Sequence, residues 1–253
     1  MFNDLKNKII LITGSSRGIG FATAEILTQH NAKVILNSEN SKNELIEASK
    51  KLNGADYFLC DVTKNEEVKK MVGSIIEKYG KIDGLVNNAG GGGWASIHTP
   101  DDEWQKSFNL DIMGAVHTCR YVMPEMQKQK SGTVVNTSSL WGIAHTAKPE
   151  IASYCVAKAG LSKLTENLAQ EYAPHIRVNA VAPGWTKTKM IEDDFNETGI
   201  KFMENNILLK RLAEPNEIAS LIVFLLSDAS SYITGQIISA DGGYLLNRQH
   251  PTT

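Results

Sequence analysis

The sequence predicts an α/β fold, a doubly wound parallel sheet with helices on both faces. Three observations carry that prediction. Short apolar runs of strand length alternate with amphipathic runs of helical spacing along the whole chain. The first apolar run, Ile9–Ile12, stops at a glycine-rich turn that leads into a helix. No internal repeat, low-complexity tract or linker interrupts the 253 residues, so a single domain, 1–253, is expected.

The opening stretch, residues 9–20, reads Ile-Ile-Leu-Ile-Thr-Gly-Ser-Ser-Arg-Gly-Ile-Gly. Ile19, Ala22, Ile26 and Leu27 then begin a helical stripe, giving strand, tight turn, helix. Gly14 turns the chain sharply off the strand, Gly18 lets backbone approach a pyrophosphate, and Gly20 lets the new helix pack closely. Amides at the helix start, from Ser16 to Ile19, face the phosphates. This is how a Rossmann-type dinucleotide-binding domain begins, although Gly-x-x-x-Gly-x-Gly differs from the usual Gly-x-Gly-x-x-Gly.

The remaining elements follow in alternation. Strands are expected at 33–37, 56–60 and 84–87, with helices at 42–52 and 66–79 between them. The second of these helices places Val68, Met71, Val72, Ile75 and Ile76 on one face. A long helical region at 101–126, a strand at 133–137, a helix at 151–172 and a strand at 177–182 come next. Pro183 and Gly184 end that strand, Pro215 opens a helix at 215–226, and a strand at 236–239 closes the sheet. Right-handed crossovers make such a sheet parallel. Residues 185–209 mix Met190, Phe195, Phe202 and Met203 with Glu192, Asp193 and Asp194, and read as a substrate lid; an ordinary surface helix pair is the alternative.

A net charge of −2 with scattered basic residues gives no electrostatic case for nucleic acid or an anionic membrane surface. Cys60, Cys119 and Cys155 are odd in number and lack C-x-x-C spacing, so neither a disulfide framework nor a metal site is expected. No signal-peptide core opens the chain and no apolar run is long enough to span a bilayer, so a soluble cytoplasmic protein is expected.

At the end of the second strand an acidic side chain would bind the adenosine ribose of NAD and repel a 2′-phosphate. Asn37 and Ser38 stand there instead, and Arg17 in the phosphate turn could pair with that phosphate, so NADP(H) is expected. Glu39 follows immediately and keeps NAD(H) as the alternative. Further on, Tyr154 and Lys158 lie one helical turn apart and share a face. A free phenol, with a pKa of about 10, is a poor proton carrier at neutral pH, and a nearby cation brings it toward useful acid/base chemistry.

Thr137-Ser138-Ser139 precede that pair, Asn109 lies in the long helical region, and Pro183-Gly184 follow it. With the Thr13-Gly14 opening, these motifs resemble the short-chain dehydrogenase/reductase family from Thr13 to Gly243, and within it bacterial 3-oxoacyl-thioester reductases. The resemblance implies that Ser139 holds the substrate oxygen, with Ser138 its competitor, and that Tyr154 exchanges the proton. It implies that Lys158 binds the nicotinamide ribose and tunes Tyr154, and that Asn109 holds a water in a proton relay. Asp61 and Val62 would sit at the adenine, Asn88, Ala89 and Gly90 would line the cofactor, and Thr186 and Thr188 after Pro183-Gly184 would reach the nicotinamide. Asn88 could equally tie adjacent strands together.

Ser139 and Tyr154 are fifteen positions apart, about two more than the family's usual spacing, with the insertion within 144–150. His98 and His145 lie near pocket loops and read as polar rim residues. The implied activity interconverts a carbonyl and a secondary alcohol, on a 3-oxoacyl thioester or on a small free ketone, sugar or polyol. Gln170 stands where a basic residue often docks a carrier protein, leaving Lys128 and Lys130 as substitutes. A non-catalytic nucleotide-sensing protein is the rival from another class. Apolar helix faces at 116–126 and 161–168 and the run Tyr244-Leu245-Leu246 imply a homotetramer.

Overall fold

The computed structural model describes residues 2–91, 94–143 and 146–247. Its strands are β1 (Ile9–Ile12), β2 (Lys33–Ser38), β3 (Asp56–Leu59), β4 (Gly84–Asn87), β5 (Gly132–Thr137), β6 (Ile176–Pro183) and β7 (Ile237–Ala240). All pair in parallel, in the order β3-β2-β1-β4-β5-β6-β7. The order reverses beside β1, and in such sheets the crevice at the carboxyl ends of the strands around the reversal receives ligands.

Both faces are covered, so every side chain of β1 is buried. Ile10 and Ile12 face one core with Leu36, Val86, Val135 and Val181, against α1 (Gly18–Gln29) and α9 (Pro215–Leu226). Ile9 and Leu11 face the other with Ile35, Leu85, Val134 and Val178, against α3 (Asn65–Tyr79) and α5 (Gly114–Gln129). The period of two along each strand produces the two layers directly.

One expectation gains detail and another changes. The region 101–126 is helical throughout, as expected, but not regular: α4 (Asp101–Phe108) runs into a π-helical turn (Asn109–Met113) before α5, and the Gly114 amide donates to the Asn109 carbonyl. Such a turn inserts an extra residue and re-aims the side chains it carries. In addition, Val122, Met123 and Met126 of α5 and Leu161 of α6 (Ala152–Tyr172) are buried in the chain's own core and do not form an exposed face. Of the residues expected to form such faces, Leu246 is the large apolar one that stands exposed.

Buried polar side chains knit the layers. Asn87 on β4 donates to Asn136 on β5 at 2.9 Å, Asn136 donates to Thr165 on α6 at 2.9 Å, and Thr118 on α5 donates to Asn87 at 2.6 Å. Each amide is satisfied, which offsets the cost of burying it. Residues 185–209 form α7 (Lys189–Asp194) and α8 (Glu197–Asn206), packed on a small core of Ile191, Met203 and Leu212 with Trp185, Phe195 and Ile200.

Candidate active site

A cavity of about 660 Å³ follows the carboxyl edge of the sheet from the glycine turn to α6 and α7. Its first wall is the turn after β1. Gly14 has φ +60°, and a Cβ there would lie 2.8 Å from the Ala89 backbone; a Cβ on Gly20 would lie 2.4 Å from the Gly14 carbonyl. Gly20 therefore acts through close packing and does not itself line the cavity, whereas Ser16, Arg17, Gly18 and Ile19 do. The N-cap of α1 carries no side-chain cap, so the first-turn amides stand uncapped beside the cavity. That is the environment a phosphate requires.

The neighbouring loop is tied to this turn. Asn88 donates its side-chain amide to the carbonyls of Thr13 (3.2 Å) and Gly14 (2.9 Å), while the Thr13 hydroxyl accepts from the Asn88 and Ala89 amides. Asn88 thus ties β1 to β4 and also lines the cavity with Ala89 and Gly90.

At the far end of the turn, Asn37 lies on the cavity edge, but its buried side chain donates to the Phe58 and Cys60 carbonyls at 3.3 and 2.9 Å. It joins β2 to β3 and does not present its amide to a ligand. Ser38, Glu39, Asp61 and Val62 line the same end. Arg17 is held by Glu44 of α2 (Lys42–Lys51) at 3.0 Å, and the Ser16 hydroxyl donates to the same carboxylate at 3.2 Å. Glu44 is therefore a competitor for the guanidinium expected to meet a 2′-phosphate.

Ser139, Tyr154 and Lys158 converge on the cavity's middle. Ser139 follows β5 and lines the cavity with the half-buried Tyr154, and its hydroxyl accepts the Trp141 amide at 3.2 Å. Ser138 is engaged elsewhere, donating to the Lys158 carbonyl at 3.1 Å and sharing a hydrogen bond with Ser162 at 2.8 Å. The Lys158 ammonium lies 5.6 Å from the Tyr154 ring centroid and donates to the Thr137 carbonyl at 2.9 Å. Burial pushes the Tyr154 phenol above its ordinary pKa, and only in part do the Lys158 ammonium and the Ser139 side chain oppose it.

Asn109 stands apart from this group. It does not line the cavity, and its side chain accepts from Gln105 at 2.8 Å on the exposed surface. Asp111, two residues later in the π-helical turn, occupies the interior instead. Its Oδ1 lies 3.0 Å from Lys158 Nζ and accepts the Gly91 amide at 2.9 Å, with both side chains almost wholly buried. Burial acts to lower the Lys158 pKa, but Asp111 and then Tyr154 outweigh it, and the ammonium is held above its ordinary value.

Pro183, Gly184, Thr186 and Thr188 line the cavity beyond β6, and Gly184 leaves no room for a Cβ, which would lie 2.6 Å from the Asp241 Cα. Trp94, Trp141 and Trp185 also line the cavity, as do Lys189 to Ile191 of α7. His98 is exposed and does not line the cavity, and His145 lies outside the described residues. The buried thiols of Cys60 and Cys119 are pushed up to about 12, chiefly by burial, so neither is a nucleophile at neutral pH.

A family model described as enoyl-(acyl carrier protein) reductase matches residues 14–245. The chain is 38% identical over 250 residues to the 3-oxoacyl-[acyl-carrier-protein] reductase of Thermotoga maritima, covering 96% of this chain and 99% of that one. It belongs to the short-chain dehydrogenase/reductase family. The 3-oxoacyl-[acyl-carrier-protein] reductase of Chlamydia muridarum is 36% identical over 94% of this chain and 98% of its own. Among solved structures, the ligand-free aldohexose dehydrogenase of Thermoplasma acidophilum superposes with a TM-score of 0.89 at 29% identity, over 100% of both chains. A short-chain type dehydrogenase/reductase from Mycobacterium marinum gives 0.89 at 33% identity, over 96% of this chain and 97% of that one.

In this member of the short-chain dehydrogenase/reductase family the missed residues are Asp111 and Glu44. Asp111 had a sequence signal: at 111, 115, 118 and 122 it falls on the same buried helical stripe as Ala115, Thr118 and Val122. A carboxylate on such a stripe requires a buried partner.

Proposed function

We propose that the chain is an oxidoreductase that interconverts a carbonyl and a secondary alcohol with NADP(H) as the preferred cofactor. The observation that carries this reading is the placing of Ser139, Tyr154 and Lys158 together, with the Lys158 ammonium 5.6 Å from the Tyr154 ring centroid, on the wall of a cavity that continues to the uncapped amides of α1. The first-turn amides of α1 would hold the pyrophosphate, Asp61 and Val62 the adenine, and Thr186 and Thr188 the nicotinamide. When bound, the nicotinamide supplies or accepts the hydride. Ser139 orients the substrate oxygen, Tyr154 donates its proton to that oxygen, and Lys158 steadies the phenolate left behind. The segment 185–209 closes over the substrate as a lid, within a single domain.

The NADP(H) preference rests on Arg17 and on the neutral Asn37 and Ser38 at the adenosine end. For the substrate, kinship with 3-oxoacyl-[acyl-carrier-protein] reductases supports an acyl thioester. A small polar ketone, sugar or polyol is favoured by a separate observation: three tryptophans and the acidic pair Asp193 and Asp194 line the cavity beside α7. Gln170 is exposed and uncharged, and Lys128 is already paired with Glu125 at 2.7 Å, so of the basic substitutes Lys130 alone stands without an ion pair among the described residues. We place the protein in the cytoplasm as a homotetramer, with light scattering as the check on assembly. Following NADPH consumption with short 3-oxoacyl thioesters beside small ketones and sugars tests the activity; no turnover with any of them would favour the nucleotide-sensing alternative.

A further inference from the structure

Resting on the carbonyl/alcohol reading, we propose that Asp111 is a positioning residue of the proton-handling group, a buried carboxylate that fixes Lys158 and sets the pH at which Tyr154 releases its proton. The geometry is that of a sealed charge pair. The Asp111 and Lys158 side chains are 0% and 4% exposed, and their charged atoms are 3.0 Å apart. Asp111 Oδ1 is further fixed by the Gly91 amide, and Lys158 Nζ by the Thr137 carbonyl. Gly90 closes the pair on one side: a Cβ there would lie 2.5 Å from Asp111 Oδ1 and 2.8 Å from Lys158 Nζ. Asp111 Oδ2 is buried with no hydrogen-bond partner among the described residues, so the carboxylate meets its donors through Oδ1 alone.

The sign of the effect follows from the charges that face Tyr154. These are Lys158 and Cys155 on α6 and Asp111 on the π-helical turn, with the Ser139 hydroxyl beside them. A lone ammonium beside the ring favours phenolate, because opposite charges attract more strongly in a partly buried site than in water. The Asp111 carboxylate compensates that cation, and after burial it is a further influence holding Tyr154 in its protonated form. The protonated phenol is the form that gives a proton to a carbonyl oxygen, so the pair biases the site toward reduction. Alcohol oxidation needs the phenolate and is displaced to more alkaline pH.

Ultraviolet difference titration of tyrosinate on the full chain, taken as each protein minus its Tyr154→Phe counterpart, isolates this phenol without any turnover. Asp111→Asn is expected to lower the Tyr154 midpoint by at least about 1 pH unit, a tenfold change in its acid constant. Asp111→Glu, which keeps the charge, is expected to hold it near the parental value. In an assay of reduction, the alkaline limb of the pH profile moves down by the same amount in Asp111→Asn. If that variant fails to fold, Asp111→Ser removes the charge while keeping an acceptor for the Gly91 amide, and carries the same comparison. A variant that loses activity with an unmoved tyrosinate midpoint would make Asp111 merely structural and overturn the proposal. A shifted midpoint in a protein that turns over no carbonyl would uphold the charge coupling and reject the proposed activity.

Discussion

Lys148 holds its ammonium 5.5 Å from the ring centroid of Trp185, and the same ammonium lies 5.8 and 6.0 Å from the rings of Trp141 and Phe195. Trp141 and Trp185 also meet edge to face at 6.0 Å, as do Trp185 and Phe195 at 5.8 Å. One cation thus joins the loop that leads into α6 to the segment 185–209, across the tryptophan-lined end of the cavity.

Cation–π contacts at partly exposed sites are each worth about 0.5–1 kcal/mol. Lys148→Ala is therefore expected to raise the KM of a carbonyl substrate by roughly fivefold, the equivalent of about 1 kcal/mol, with little change in kcat. Lys148→Arg should retain the parental KM. Steady-state kinetics beside tryptophan emission check this, and an unchanged KM with unchanged emission in Lys148→Ala would show that the contact does not shape the pocket.

Cofactor choice turns on the pairing of Arg17 with Glu44. Freeing the guanidinium by Glu44→Gln should increase the kcat/KM ratio of NADPH to NADH by roughly threefold or more. Arg17→Ala should lower the same ratio by at least about tenfold, roughly 1.4 kcal/mol. The exposed ion pair is screened by salt, so the Glu44→Gln effect should shrink at high ionic strength. If neither substitution moves the ratio, Glu39 becomes the deciding group.

A stability prediction concerns the start of α9. Glu217 accepts both Arg211 guanidinium nitrogens at 2.6 and 2.7 Å and the Glu214 amide at 2.8 Å, closing a capping box. Chiefly through Arg211, its carboxyl is held down at about 2, below its ordinary 4.5. Stability from this lowered carboxyl is present above pH 4.5 and is lost as pH falls toward about 2. Because the pair is solvent-exposed, only about 0.5–1 kcal/mol is expected from it. Glu217→Gln should lower Tm by roughly 1–4 °C near neutrality, with the gap from the parent narrowing on acidification. A gap that stayed constant across that range would assign the effect to helix capping alone.

The sheet and the glycine turn are legible in the sequence because both rest on local regularities, the short apolar run Ile9–Ile12 and the backbone freedom required at Gly14. Tyr154 and Lys158 are legible for the same reason, since one helical turn brings them to one face. What escapes such reading depends on distant partners. Asn37 looks free to meet a ligand until the Phe58 and Cys60 carbonyls occupy its amide, and Arg17 looks free until Glu44 reaches it from another helix. The resemblance points to Asn109 for the water-holding role, but the π-helical turn leaves that side chain bonded to Gln105 outside the cavity and carries Asp111 inward. The Lys148 contacts span a loop and a segment that share no sequence pattern.

The central claim, that the Tyr154 hydroxyl is the proton donor, is tested most directly by single-turnover carbonyl reduction in Tyr154→Phe beside a cofactor titration. Phenylalanine keeps the ring and deletes the acid, and a positioned general acid contributes about 10²–10⁴-fold. The account predicts a loss of turnover in that range with cofactor affinity within about twofold of the parent. Near-parental turnover in Tyr154→Phe would contradict it.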